Sequence, residues 1–294
     1  MGGQPGAAGS HLRLNTTRTV AGCSCKHVHL ARRFRANEGR MDMKQVYICH
    51  DTITGIFSAI HDAWKENRDG DSGIALRGVM IPQLFCEYIE VEETIQKSIA
   101  VERLIKKNLG YNAYWDLYHA LLSDDCERAD AVYHTMLEAR KVKDSKKIME
   151  HLSNPHVAKV FELSRKVANE AHFFTEFIRF RELENGVMLS EITPKGQVLT
   201  CIADHFTNRF PLEHWMVYDK THRVFLVHQA RKNWVLVQGE ILDTEAAGRI
   251  SEAEEEFANL WKGFCKSISI EERENLNLQR NHLPIRFRQN MTEF

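Results

Sequence analysis

The 294-residue chain reads as an α+β protein: a helix-rich N-terminal part, a long central helix, and a small, mainly antiparallel sheet followed by C-terminal helices. Three observations lead there. Apolar residues recur at helical spacing along most of the chain up to residue 180, strand-like runs joined by tight turns collect between 187 and 238, and helical periods return after 250. Helices gathered first and strands later make the α+β pattern rather than strict βαβ alternation.

Each element follows from local signals. Gln45–Cys49 predicts a short strand, Ile53–Glu66 an amphipathic helix closed by the polar turn Arg68–Gly73, and Gln83–Val91 an extended apolar segment. Three helices come next, Glu92–Asn108, Asn112–Leu122 and Arg128–Ala139, with Ser123-Asp124-Asp125 as the expected N-cap of the last. Lys141–Lys147 reads as a solvated basic bend. Pro155 opens the strongest helix, in which Val157, Val160, Phe161, Val167, Ala168, Ala171, Phe174, Phe177 and Ile178 keep close to the 3.6 period. It must end before the Asn185-Gly186 turn signal. Val187–Ile192 is a strand, Val198–Phe210 a helix, and Trp215–Tyr218, Val224–Gln229 and Trp234–Gln238 a three-strand meander. Ser251–Ser267 and Glu271–Gln279 read as helices, with a loose tail after Pro284.

Composition gives ordinary globular values, with 43% hydrophobic and 27% charged residues, so a real core is available. The net charge of -1 hides an asymmetry. Residues 1–40 hold seven basic side chains against one acid, Glu38, for +6, whereas the other 254 residues hold 32 basic and 39 acidic groups, for -7. Residues 1–42, small, polar and without an apolar period, read as a disordered and dispensable basic leader, with Met41 and Met43 just before the first strand. Residues 43–294 read as a single α+β domain. A targeting signal and a nucleic-acid arm are the alternatives for the leader. Its Cys23, Cys25, His27 and His29 lack the second ligand pair that a zinc loop needs, so no metal is expected, and no cofactor either. Cys49, Cys86, Cys126, Cys201 and Cys265 are widely spaced in apolar runs and read as reduced, buried thiols. With no secretory apolar region and no run long enough to span a bilayer, a cytoplasmic protein without membrane contact is expected.

Chemistry-bearing residues cluster around the central helix. Arg165, His172, Glu176 and Arg179 share a stripe at spacings of 7, 4 and 3, and His205 and Arg209 are four apart on the next helix. Asp219 and Arg223 bracket the turn between two strands. One reading makes these a solvated face and a turn-stabilising ion pair. The sharper one has Glu170, His172, Arg179, His205, Arg209 and Asp219 converging, for phosphate binding or acid–base chemistry. No phosphate-cradling glycine loop, G-x-S-x-G elbow or H-E-x-x-H helix is present. The aromatics Phe173, Phe174, Phe177, Phe180, Phe206, Phe210 and Trp215 could stack bases, though their helical spacing favours a core role.

Taken in order, these segments resemble a known family. Lys166-Val167-Ala168-Asn169-Glu170-Ala171-His172 followed by Phe177-Ile178-Arg179-Phe180 is similar to the core of the uncharacterised bacterial "probable DNA metabolism protein" family. His205-Phe206-x-x-Arg209-Phe210, Trp215 to Asp219 and Arg223 resemble its second block. Leu260-Trp261-Lys262-x-Phe264, Ile268-x-Ile270-x-x-Arg273-x-Asn275, Gln279 and Leu283-Pro284-x-Arg286 resemble its third, so the likeness runs from Val46 to Glu293. It departs at Phe173, where the family has a basic residue, and at Phe287-Arg288, where an aromatic pair is usual.

The resemblance implies DNA repair or modification, with a radical-SAM protein as partner and a similar domain found fused to uracil-DNA-glycosylase-like domains. The leading expectation is therefore a DNA-metabolism accessory protein that works with the radical-SAM enzyme. It would touch DNA through Arg165, Arg179, Arg209 and Arg223, with Trp215 as a stacking candidate. In a body of charge -7 such contact requires the four arginines on one exposed face. The alternatives are a nucleotide- or damaged-base-processing enzyme, with Glu170, His172, His205 and Asp219 as catalytic candidates, and a purely structural adaptor. Buried, fully paired copies of the same residues favour the adaptor.

Overall fold

The computed structural model describes residues 43–66, 72–79, 82 and 84–293; the basic leader, with its Cys/His cluster, lies outside the described residues. The α+β expectation holds, but strands also come first. β1 (Lys44–Cys49) is followed by α1 (Ile53–Glu66), β2 (Ser72–Leu76) and β3 (Cys86–Glu90). The three strands form a parallel sheet in the order β2-β1-β3, with Tyr47 opposite Ile74 and Ile89. Parallel neighbours need a crossover, and α1 supplies the one from β1 to β2. The expected turn Arg68–Gly73 overran β2. Ser72-Gly73-Ile74-Ala75-Leu76 is short and opens on turn-type residues, yet Ser72, Gly73, Ile74 and Leu76 are buried, so tertiary context overrode local signal.

Four helices follow: α2 (Ile95–Asn108), α3 (Gly110–Leu121), α4 (Arg128–Ala139) and α5 (Pro155–Phe177). α2 starts later than the sequence suggested, because the Thr94 side chain caps it by accepting from Lys97 N–H (3.3 Å). The expected cap of α4 is a correction: its N-cap is Glu127, with no side-chain cap bond. Asp125 instead accepts from Glu127 N–H (2.9 Å) and pairs with Lys159 (2.7 Å), while Ser123 Oγ donates back to Ala120 O (2.7 Å). α5 opens as read, with Pro155 in the first turn and Asn154 Oδ1 accepting from His156 N–H (2.9 Å).

The second sheet contains β4 (Arg181–Glu182), β5 (Met188–Ile192), β6 (Trp215–Asp219), β7 (Val224–His228) and β8 (Val235–Gln238), with α6 (Leu199–Arg209) between β5 and β6. Its order is β4-β5-β6-β7-β8, antiparallel except for the β5–β6 pair, where Ser190 faces Val217. The Asn185-Gly186 turn joins β4 to β5, and Gly186 takes the positive φ of 75° that favours glycine. α7 (Thr244–Gly248), α8 (Glu252–Ile268) and α9 (Leu276–His282) complete the chain.

Two cores result, and α5 belongs to both. Val157, Val160 and Leu163 join β1, β2 and α1–α4 in the first; Val167, Ala171 and Phe174 join β5–β7, α6 and Phe287 in the second. Of the five cysteines in the described residues, all free, Cys49 is buried as expected while Cys126 is exposed. Among the described residues no helix is long and apolar enough to cross a membrane.

Candidate functional site

Glu170 lies on the inward side of α5, 6% exposed. Its Oε1 accepts from Lys195 N–H (3.1 Å) and pairs with Arg286 (2.7 Å), and its Oε2 accepts from Gly196 N–H (2.9 Å). The loop can reach it because residue 196 is glycine: a Cβ there would stand 2.9 Å from Leu122 O. Both carboxylate oxygens are engaged in holding the 193–197 loop and the C-terminal segment onto α5. The carboxylate is a knot between three parts of the chain.

His172 is two residues on, about 200° around the helix, and so faces the other way. It is exposed and pairs with Glu176 (3.0 Å) on the helix surface. His205 is also exposed, and among the described residues no hydrogen bond or ion pair links it to His172 or to a common partner. Asp219 is 1% exposed and spent inside its own turn. Its Oδ1 accepts from Thr221 N–H (2.9 Å) and His222 N–H (3.0 Å), and its Oδ2 pairs with His222 Nδ1 (2.6 Å). The expected Asp219–Arg223 pair is therefore corrected to Asp219–His222. The candidate catalytic set does not converge.

The arginine face fares no better. Arg179 is paired with Glu293 (2.8 Å), and Arg165 lies exposed over the Phe161 ring (5.6 Å). Arg209 sits near the Trp215 end of β6, where Arg231 N–H donates to Pro211 O (2.8 Å), whereas exposed Arg223 lies in the turn beyond Asp219. β6 separates those two ends by about 14 Å at about 3.4 Å per residue. Trp215 is 0% exposed, stacked on His228 (5.0 Å) within Phe180 and Phe206, so it is core and offers no face to a base. That core role is the one its spacing with the phenylalanines favoured.

One polar group escaped the sequence reading, at the carboxyl edge of β1. His50 N–H and Nδ1 both meet Glu93 Oε1 (2.6 and 2.9 Å), and the Asp51 carboxylate is tied to the buried Arg128 guanidinium. Gly55 permits this: a Cβ there would be 2.7 Å from both Glu93 Oε1 and His50 O. An imidazole oriented through Nδ1 keeps Nε2 for proton transfer. The adjacent Cys49 is no nucleophile at neutral pH, since burial, with Glu93 and Asp51 nearby, pushes its thiol up to about 12. A glycine in the first turn of the helix that follows a strand was the available signal. Among the described residues no group of three or more His, Cys, Asp or Glu side chains is placed to hold a metal ion.

The surface that stands out is apolar. α8 is capped by Ser251, whose Oγ accepts from Glu254 N–H (3.1 Å), and is tethered where Glu254 Oε2 accepts from Glu182 N–H (3.1 Å). Beyond that anchor Phe257, Leu260, Trp261, Phe264 and Ile268 form one helical stripe, and no residue of α8 is buried. Phe257 is 68% exposed and Leu260 62%. A contiguous stripe of this kind marks an interaction face more often than a solvated one.

Fold and surface together define an α+β protein with Glu170, Arg179 and Asp219 committed to internal pairs and, in α8, an uncovered amphipathic helix. A family model described as a domain of unknown function, DUF4130, matches residues 126–293, more than half of the chain, and the chain belongs to that family. The match takes in α4 to the C-terminal segment, so all three blocks of the resemblance fall within it, while the parallel sheet precedes it. No curated protein matches the chain.

Proposed function

We propose that this chain is an accessory protein of DNA metabolism that acts by docking a protein partner through α8, the partner being the radical-SAM enzyme that the family resemblance implies. The exposed apolar stripe Phe257, Leu260, Trp261, Phe264 and Ile268 carries the reading. The internal pairing of Glu170, Arg179 and Asp219 supports it, since groups held in structural bonds are not held for substrate. The partner's complementary face is apolar with basic flanks, because Glu252, Glu254, Glu255 and Glu256 crowd the first turns of α8.

Co-expression of the full chain with the radical-SAM protein of the same genome, followed by size-exclusion chromatography, tests this. The wild-type pair should elute together and the Phe257→Glu/Phe264→Glu chain should elute alone with unchanged circular dichroism. Failure of the wild-type pair to associate removes the reading. Salt-dependent DNA binding by the full chain, lost in Arg209→Ala, would instead restore direct DNA contact.

A further inference from the structure

A second feature lies at the β4–β5 edge of the larger sheet. α7 and its flanking residues lie beside that edge and border an open cavity of about 390 Å³. Arg181 and Glu191 line its sheet side, Leu242 and Ile250 form apolar walls, and Ala247 and Gly248 keep the α7 side open. Pockets of roughly 300–1,000 Å³ are the usual size for small ligands.

The polar side of this cavity is not electrically closed. Glu191 accepts from Arg181 (2.5 Å) and from Lys220 (2.6 Å), so two cations share one carboxylate. Burial alone would raise the Glu191 carboxyl, but the hydrogen bonds from Lys220 and Arg181 outweigh it and hold the group below its ordinary value. It therefore stays ionised at neutral pH, and within this group of three the two cations outnumber the one anion. The Arg181 side chain is 36% exposed, so part of it stays open beside its bond to Glu191.

We infer that this cavity binds a small organic anion, in which a phosphate or carboxylate head meets the Arg181 guanidinium and an apolar body lies between Leu242 and Ile250. The head completes the donors that Glu191 leaves over, as charge-assisted bonds from a guanidinium fork do. The apolar walls exclude a bare inorganic ion as the preferred ligand. The inference stands apart from partner docking, because none of these residues belongs to α8.

Gly248 supplies a clean test. A Cβ built there meets nothing within 4 Å, so Gly248→Met extends into open space rather than into a neighbour. Titration calorimetry on the full chain would use three probes: a nucleoside 5′-monophosphate, hexanoate and inorganic phosphate. At least one organic anion should bind with Kd of about 1 mM or tighter, and about tenfold tighter than inorganic phosphate. The two organic arms decide between a phosphate and a carboxylate head. Gly248→Met and Arg181→Lys should each weaken that binding about tenfold or more, with circular dichroism and melting temperature kept by Gly248→Met. If Arg181→Lys fails to fold, Gly248→Met alone decides. Absence of saturable binding, equal affinity for inorganic phosphate, or wild-type binding by Gly248→Met overturns the inference.

Discussion

Along α5 the apolar residues Val157, Val160, Leu163, Val167, Ala171 and Phe174 are all buried, whereas along α8 Phe257, Leu260, Trp261, Phe264 and Ile268 keep a similar spacing and stay exposed. Both helices begin the same way, with a side-chain cap from Asn154 or Ser251. The difference lies in what each finds opposite. α5 runs between two sheets' worth of apolar neighbours and serves one core with its first half and the other with its second. α8 touches the sheet edge at Glu182 and then extends beyond it. Periodicity reports that a helix has an apolar face, and only the rest of the fold reports whether that face is already covered.

The largest effect that tests this contrast is in α5. Leu163, 1% exposed in the first core, should cost about 3 kcal/mol of unfolding free energy when changed to Ala, read by urea denaturation. A loss below about 1 kcal/mol would mean that the two cores are not joined through this helix as described.

Glu170 comes next. Glu170→Ala removes the acceptor of two backbone N–H groups and the partner of Arg286, and should cost about 2–3 kcal/mol. Glu170→Gln keeps one acceptor oxygen and should lose less. His172→Ala, at an exposed helix pair two residues away, should change stability by less than about 0.5 kcal/mol. Equal losses at 170 and 172 would break the distinction between the inward and outward sides of α5.

A smaller, pH-dependent effect belongs to the first core. His134 on α4 stacks on His156 of α5 (4.5 Å) and stands 3.6 Å from Asp130. Burial lowers its proton affinity, Asp130 opposes that, and His156, Lys44 and Lys141 add to the lowering. The unfolded chain then takes up this proton first as pH falls below about 6.5, so stability declines from there toward the lower folded value. His134→Asn should flatten the decline of stability between neutral and acid pH. An unchanged slope would assign the effect to other groups, of which His119, also lowered by burial, is the next to test.

How far the sequence speaks depends on whether a signal is local. α1, α3–α6 and the β6–β8 meander were legible because their periods and turn residues sit within their own segments. β2 was not, since Ser72 and Gly73 look like turn residues until β1 covers them. The site was less legible for the same reason. The convergence reading put Glu170 with His172 and Arg179, but a helix sends residues 170 and 172 to opposite sides. The carboxylate's true partners, Lys195, Gly196 and Arg286, are 25 to 116 positions away. Asp219 was correctly seen at a turn and assigned Arg223, while the backbone there brings His222 instead. Pairings across the fold need the fold.

The smallest expected effect is the most informative. Phe264→Ser in α8 replaces an apolar side chain that is already 52% exposed in the free chain. It fills no core position and leaves no cavity, so the stability of the isolated protein should move by less than about 0.5 kcal/mol. The same change at buried Phe174 on α5, 6% exposed, should cost about 3 kcal/mol or more. Unfolding midpoints of the two variants measure this directly. The comparison then extends to function. On the docking proposed above, Phe264→Ser should retain its fold and lose partner association, because apolar area of the kind that Phe174 buries in α5 is left open on α8 in the free chain.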